Sequence, residues 1–371
     1  MRRILAALLL CAAALTTGQP AHAATGPHPD SPPIMGADVS SLAKSEALGG
    51  VYRYENGRRG DALAILGSAG LNYVRLKVWV NPADGYNTKT QVLAVAKRAK
   101  ARGMGLLVDF HYSDSWADPG KQNKPAAWAD LPFEELKQAV AAHTRDVLGA
   151  LKAQGTPADM VQIGNELNGG LLWPDGRWDN WPNLAALLNA GHDAAKEVSS
   201  STKVVLHLAD GADNDLYRWW FDTAAAHGVR YDVIGLSYYS YWHGTLEAFR
   251  ANLHDVAARY AKPVVVVETA HPFTTADDDG WENIVTSAEP YPGYPATPEG
   301  QAAMMRQVIE AVRSVPGGRG LGVFYWEATW TGVPGNGWDP ADPSSGNGWE
   351  NQALFGFDDR LLPTVRTFTR S

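Results

Sequence analysis

Glu166 and Glu268 are the residues of this sequence best placed to do chemistry, because each closes a run of apolar, mostly β-branched residues, VQIGNE at 161–166 and VVVVE at 264–268. A carboxylate at the end of a hydrophobic strand has lost much of its water, so it must be paired, neutralised or put to use. One such acid reads most simply as an incidental strand end. Two that face each other across a pocket divide into a nucleophile, kept ionised by donors, and an acid whose pKa its neighbour's charge raises. Arg75 is the cation to hold Glu268 ionised, and Asn165, next to Glu166, is placed to hydrogen-bond a substrate hydroxyl. A separation of roughly 5–5.5 Å would imply displacement at a sugar carbon through a covalent glycosyl-enzyme.

Positioning such a pair requires strands. Eight short runs rich in β-branched residues, at 33–40, 73–80, 105–112, 160–166, 203–209, 233–239, 262–269 and 320–327, predict them. Ala- and Leu-rich helical stretches lie between, among them 90–103, 132–155 and 299–315. That alternation predicts one α/β domain over 34–371, a single (β/α)8 TIM barrel. An open doubly wound sheet fits less well, since no glycine-rich phosphate loop follows the first run. Barrel strands alternate side chains between the interior and the helices. Alternation turns Val161 and Ile163 outward and Gln162, Gly164 and Glu166 inward; by the same count Asp38, Arg75, Lys77, Trp79, Asp109, His111, His207, Glu268 and Trp326 face in, with Tyr239 favoured over Tyr238. These polar residues gather at the C-terminal ends of the strands, where barrel enzymes keep their catalytic groups, and Asp38, Arg75, Asp109, His111, Asn165, His207, Tyr239 and Trp326 are expected to bind substrate there. A self-satisfied polar network is the plainer alternative, but one drawn from at least six strands would be costly to bury.

The segments GADVSSL, YVRLKVWVNP, LLVDFHYSDSWADPGKQNKPAAW, VQIGNELNGGLLWP, GLSYYSYWHG, VVVVETAHP, GVFYWEATW and ENQALFGFD, in this order from about Met35 to Asp358, resemble the endo-β-1,4-galactanases of glycoside hydrolase family 53, within a clan of retaining (β/α)8 glycosidases. The resemblance implies Glu166 as acid/base, Glu268 as nucleophile, and an open groove that cuts β-1,4-galactan or type I arabinogalactan internally. It also singles out the loop after the third strand, where Ser113, Asp114 and Trp116 would border the cleft; the alternative for each is a packed loop with incidental polarity. The paired glutamates are shared by mannanases, cellulases and xylanases of the same clan, so those activities stay open, and a non-catalytic carbohydrate-binding barrel is a third reading. His111 and His207 are expected to orient the glutamates by hydrogen bonds rather than bind zinc, since neither HxH on the first strand nor HExxH occurs.

A second acidic cluster, TTADDDGWEN at 274–283, places Asp277, Asp279, the Trp281 carbonyl and Asn283 on alternate residues, as in the first half of a calcium loop. It lacks a closing bidentate Glu, so Asn347 and Glu350 are proposed as distant ligands. Some bacterial members of the resembled family carry calcium in this loop, which implies one structural ion here and no cofactor for catalysis; a solvated acidic turn is the alternative.

Composition bounds the rest. With 45% hydrophobic and 19% charged residues, the 371-residue chain can bury a barrel-sized core. Two arginines, an apolar run over 4–15 and Ala21-His22-Ala23 read as a secretory signal cleaved after residue 23, followed by a flexible segment at 24–33. No later run is long enough to span a bilayer. The one cysteine, Cys11, falls in the leader behind Leu10, so the mature chain has no disulfide. Loss of Arg2 and Arg3 takes the formal charge from −8 to about −10. A secreted monomer acting on polysaccharide, without nucleic-acid or membrane partners, is the expectation. The 14 tryptophans lie mostly in segments rich in Gly, Pro, Asp and Asn, as platforms for sugar rings would.

Overall fold

The computed structural model describes residues 33–368. The expected leader at 1–23 and nearly all of the segment at 24–33 lie outside the described residues.

Eight strands close into a barrel: β1 Ile34–Asp38, β2 Tyr73–Val78, β3 Gly105–Phe110, β4 Met160–Ile163, β5 Lys203–Leu208, β6 Val233–Ser237, β7 Val264–Glu268 and β8 Gly320–Tyr325. They follow one another in chain order, all parallel, and β8 pairs back onto β1. Helices α1 Leu42–Ala47 and α2 Ala62–Ser68 precede β2, and α3 Lys89–Lys100 precedes β3. One helix follows each later strand up to β7: α4 Phe133–Ala153, α5 Trp181–Val198, α6 Asn214–Ala226, α7 Leu246–Arg259 and α8 Pro298–Arg313. This is the expected single (β/α)8 barrel. Among the described residues no helix is long and apolar enough to cross a membrane.

The alternation is visible in two separate apolar layers. Ile34, Leu107, Met160, Val205, Val233, Val265, Val267 and Phe324 fill the barrel interior. Val74, Leu76, Val108, Val161, Ile163 and Val266, one residue out of phase, pack with the helices. Glu268 is the exception that matters. Val265 and Val267 already face the interior, so strict alternation would turn Glu268 toward the helices. The register between β6 and β7 shifts at Leu236/Ser237, where Ser237 pairs with Glu268. An irregularity of this kind re-aims a side chain. Glu268 therefore faces inward as expected, but through the shifted register and not by simple parity.

Every expected strand is present, and each stops one to three residues before its expected C-terminal limit. The chain leaves the ladder there to turn polar groups into the mouth. Tyr112, Glu166, Asp210 and Glu327, just beyond β3, β4, β5 and β8, all have left-handed backbones, with φ of 49°, 45°, 56° and 46°. Side-chain-bearing residues rarely adopt this region, and it concentrates at functional sites. Gly164 makes the turn to Glu166 possible: its φ is 87°, and a Cβ would stand 2.5 Å from Leu167 Cδ2.

Candidate active site

Arg75 organises the floor of the mouth. Only 1% exposed, it donates from Nε to Gln162 Oε1 at 2.7 Å and from Nη1 to Asp38 Oδ2 at 2.7 Å. Its Nη2 faces Asp109 Oδ2 at 2.8 Å, Asn165 Oδ1 at 2.9 Å and Glu268 Oε1 at 2.8 Å. Tyr239 donates its hydroxyl to Glu268 Oε2 at 3.1 Å. Burial pushes Glu268 up to about 7, with the charges of Asp109 and Asp38 adding to the push, while Arg75 and the Tyr239 hydroxyl draw it down.

Glu166 lacks such a cation. Ser237 Oγ donates to its Oε1 at 2.7 Å and lies 3.5 Å from Glu268 Oε2. The two carboxylate oxygens are thus no further apart than the sum of those two distances. Burial, then the charge of Glu268, raises the Glu166 pKa well above the usual carboxylate range. Of the two, Glu268 ionises first and Glu166 keeps its proton. Behind them, Gln162 Nε2, Asn165 Oδ1 and the Glu166 N–H face His207 Nδ1 at 3.0, 3.0 and 3.4 Å, and the other ring nitrogen, Nε2, lies 2.8 Å from Ser237 Oγ. Burial and the Arg75 charge keep that imidazole neutral. A relay His207–Ser237–Glu166 results.

These opposed environments set the pH dependence. Activity should fall at low pH as Glu268 takes a proton and at high pH as Glu166 loses one, as apparent values of a coupled pair. Tyr239→Phe removes a donor to the Glu268 anion and should move the acid limb up. Ser237→Ala removes the donor to Glu166 and should move the alkaline limb up. Steady-state pH profiles of the parent and both variants check this; a shift of either limb in the opposite direction contradicts the assignment.

Above the pair opens a cleft of about 710 Å³, lined by seven of the 14 tryptophans: Trp116, Trp242, Trp281, Trp326, Trp330, Trp338 and Trp349. Trp116 stacks on Trp330 with centroids 5.7 Å apart, and its Nε1 donates to the Trp338 carbonyl at 2.6 Å. Lys77 Nζ sits 4.0 Å over the Trp116 ring and 2.5 Å from Glu327 Oε1. The buried Lys77–Glu327 pair thus supports the aromatic wall.

Of the residues expected to bind substrate, Arg75, His111, Trp116, Asn165, Tyr239 and Trp326 line the cleft. Asp38, Asp109, Ser113, Asp114 and His207 do not. Asp38 and Asp109 back Arg75, and Asp109 also accepts from His111 Nε2 at 3.0 Å. His111 Nδ1 accepts from Trp79 Nε1 and the Ala117 N–H. Both Asp114 oxygens are taken by backbone amides, of Asn81 and Ala126, so this residue ties its loop together. Ser113 is buried, its carbonyl bonded to the Val80 N–H. Sequence reasoning missed Ser237, Glu327 and four of the seven cleft tryptophans, Trp242, Trp330, Trp338 and Trp349, as site residues, and expected Trp281 only as a metal ligand. The signal for Ser237 was present, because it shares the parity of Tyr239.

The acidic loop comes together only in part. Asp277, Asp279 and Glu350 bring carboxylate oxygens within 4.8 Å of one another. Glu350 Oε2 and Asn283 Oδ1 are buried without a hydrogen-bond partner. Burial, with Asp279 and Asp278 nearby, pushes Glu350 up to about 7. Asn347 gives its N–H to Asp279 Oδ2, while its Oδ1 accepts from Trp349 N. Trp281 donates its N–H to Asp279 Oδ1 and turns its ring into the cleft. Crowded carboxylates around orphaned buried oxygens are what a hard, oxygen-loving cation relieves.

A barrel that sets two buried glutamates on one serine, beneath a cleft walled with indoles, defines a glycoside hydrolase: its chemistry needs a carboxyl pair and its ligands stack on rings. The chain belongs to glycosyl hydrolase family 53, which matches residues 34–368. It is 38% identical to the endo-β-1,4-galactanase of Bacillus subtilis (strain 168), over 90% of this chain and 85% of that one. With the arabinogalactan endo-β-1,4-galactanase of Cellvibrio japonicus (strain Ueda107) it shares 36% identity, over 95% and 93%. Among solved structures, the family 53 catalytic domain from Ignisphaera aggregans superposes with a TM-score of 0.87 at 43% identity, covering 92% of this chain and 98% of that one. Xylanase 10B of Thermotoga maritima, at 14% identity and a TM-score of 0.55 over 89% and 97%, shares the fold alone.

Proposed function

We propose that the protein hydrolyses internal β-1,4-galactosidic bonds of galactan and type I arabinogalactan, with retention of configuration, as a secreted monomer. The observation that carries the mechanism is the asymmetric pair: Arg75 touches Glu268 and not Glu166, and Ser237 bridges the two at close range. That spacing supports direct attack, since inverting enzymes hold their carboxyls about 6.5–9.5 Å apart to seat a water. Glu268 attacks the anomeric carbon while Glu166 gives its proton to the departing oxygen. A glycosyl ester of Glu268 forms as the glycosidic bond breaks. Glu166, now a carboxylate, takes a proton from water, the oxygen of which attacks the same carbon and frees Glu268. The relatives named for galactan and arabinogalactan support the sugar, and the cleft's indole walls support stacking on successive rings. The leader-like residues at 1–23 support export, and one chain supplying the whole site supports action as a monomer. A carbohydrate-binding barrel without turnover would have no use for an acid held protonated beside an anion.

Reducing ends released in parallel from galactan, mannan, xylan and cellulose test the substrate. Galactan should be cut fastest, with viscosity falling ahead of sugar release. Faster cleavage of mannan or xylan would overturn the substrate while leaving the carboxyl pair standing.

Calcium belongs to the same reading, as a structural ion held by Asp277, Asp279 and Glu350, with Asn283 at hand. The residues fit it, because Glu350 Oε2 and Asn283 Oδ1 have no other partner. Trp281 and Trp349, next to these residues in sequence, line the cleft, so the ion would brace that wall. Saturation a hundredfold above the dissociation constant should stabilise the fold by about 2.7 kcal/mol. Because binding must displace the Glu350 proton, the gain should shrink below pH 7. Melting curves with chelator, calcium and magnesium, repeated on Asp277→Ala and Glu350→Gln, provide the check. Identical melting of stripped and calcium-loaded parent protein would reduce the loop to a solvated turn.

A further inference from the structure

Five tryptophans are at least 41% exposed among the described residues. Trp242, Trp281 and Trp338 line the cleft; the other two, Trp178 and Trp219, do not, and they touch each other. Their rings meet edge to face with centroids 6.0 Å apart at 73°, and Trp178 is 44% and Trp219 42% exposed. In water, two half-exposed indoles are expensive surface, and the chain holds them rigidly. Trp219 packs against Trp181, which stacks on His227 and meets Trp220 edge-on. Trp220 donates its Nε1 to the Leu167 carbonyl.

The pair is also joined to the cleft rim. Asp210 lines the cleft, Asn168 donates to Asp210 Oδ2 at 3.1 Å, and the Trp178 N–H donates to the carbonyl of Gly169, the next residue, at 3.1 Å. The platform therefore adjoins the rim on the side of Glu166, the acid that faces the departing part of a cleaved chain. Its flanks carry charge of both signs: Asp179 follows Trp178 and Asp215 lies one helical turn before Trp219 on the same face of α6, while Arg177 and Arg218 directly precede the two tryptophans, all four exposed. Carboxylates accept from sugar hydroxyls and guanidinium groups donate to sugar oxygens, which suits a neutral polyhydroxylated strand.

We infer that Trp178 and Trp219 form a second binding site, outside the catalytic cleft, for a neutral β-1,4-galactan strand. The inference rests on the proposed substrate. Indole faces stack on the apolar faces of galactose rings, and Asp179 and Asp215 accept hydrogen bonds from the hydroxyls. A polymer held there and in the cleft gains by effective concentration, whereas an oligosaccharide confined to the cleft gains nothing.

The test uses the full mature chain in a Glu268→Gln background, run through native gels containing β-1,4-galactan, with the cleft saturated by a short galacto-oligosaccharide. The parent should still be retarded, and Trp178→Ala/Trp219→Ala should lose about tenfold in that cleft-independent retention. Trp178→Tyr/Trp219→Tyr should keep most of it, and polygalacturonate in the gel should retard neither. In the active background the alanine pair should raise KM on long galactan while leaving kcat/KM on the short oligosaccharide unchanged, which also reports an intact fold. Equal retention of the alanine pair and the parent overturns the site while leaving the galactanase reading intact. No cleavage of galactan by the active parent overturns both. A parent that sediments as a dimer and an alanine pair that sediments as a monomer would make the platform a protein contact instead, and the inference wrong.

Discussion

Replacing Glu268 with glutamine should lower turnover on galactan by roughly 10⁴- to 10⁶-fold with little change in melting temperature, the scale seen when a covalent nucleophile is removed. The amide keeps the shape, with its oxygen free to accept from Arg75 and its NH2 to donate to the Tyr239 oxygen, but cannot form the ester. Glu166→Gln should cost about 10²- to 10⁴-fold on galactan, the usual worth of a general acid, and less on an aryl galactoside whose leaving group needs no proton. The two losses should differ in kind as well as size. Azide supplied to Glu268→Ala attacks the free substrate once and should give the α-galactosyl azide. With Glu166→Ala it attacks the glycosyl-enzyme and should give the β product. A folded Glu268→Gln variant with near-parental rates, or one stereochemistry from both alanine variants, would show the roles to be misassigned.

Arg75→Met should be the most destabilising single change in the mouth. Arg75 is the shared partner of three buried carboxylates, Asp38, Asp109 and Glu268. Removing one member of a buried ion network leaves the others desolvated and unpaired, at a cost of about 3–5 kcal/mol. Whole domains are typically stable by only 5–15 kcal/mol. In the fraction that folds, Glu268 loses the cation that draws its pKa down, so the acid limb of the activity profile should move to higher pH. Urea unfolding and a pH profile of Arg75→Met, with Arg75→Lys as the charge-conserving control, measure both effects. A parental urea midpoint and an unmoved acid limb would mean that Arg75 merely fills space.

Much of this arrangement is legible without coordinates, and the illegible part has identifiable causes. The eight strands announce themselves because parallel strands covered on both sides must be β-branched runs. Parity then sorts Arg75, Asp109, His111 and His207 to the interior. Parity works by counting in twos, so it fails where the ladder does. The register shift at Ser237 and Glu268 and the left-handed turns at Glu166 and Glu327 are tertiary outcomes that no local pattern spells out. Inward-facing also differs from cleft-lining: Asp38, Asp109 and His207 face in but lie beneath Arg75, Asn165 and Ser237, where they set charge and hydrogen bonding without an open face of their own. Asp114 illustrates the opposite error. It stands in a distinctive motif, yet its two oxygens hold two loop amides. The tryptophans were readable as a class; which of them wall the cleft depends on how the loops after β3, β6, β7 and β8 meet.

The most direct test of the central claim, that Glu268 attacks the sugar while Glu166 supplies the proton, is the anomeric configuration of the first product. Proton NMR of galactan digested at high enzyme concentration resolves the new reducing end before it mutarotates. The β-anomer should appear first and the α-anomer only later, at the rate of spontaneous mutarotation. Initial release of the α-anomer would mean that water, not Glu268, attacks the glycosidic carbon, and would contradict the account.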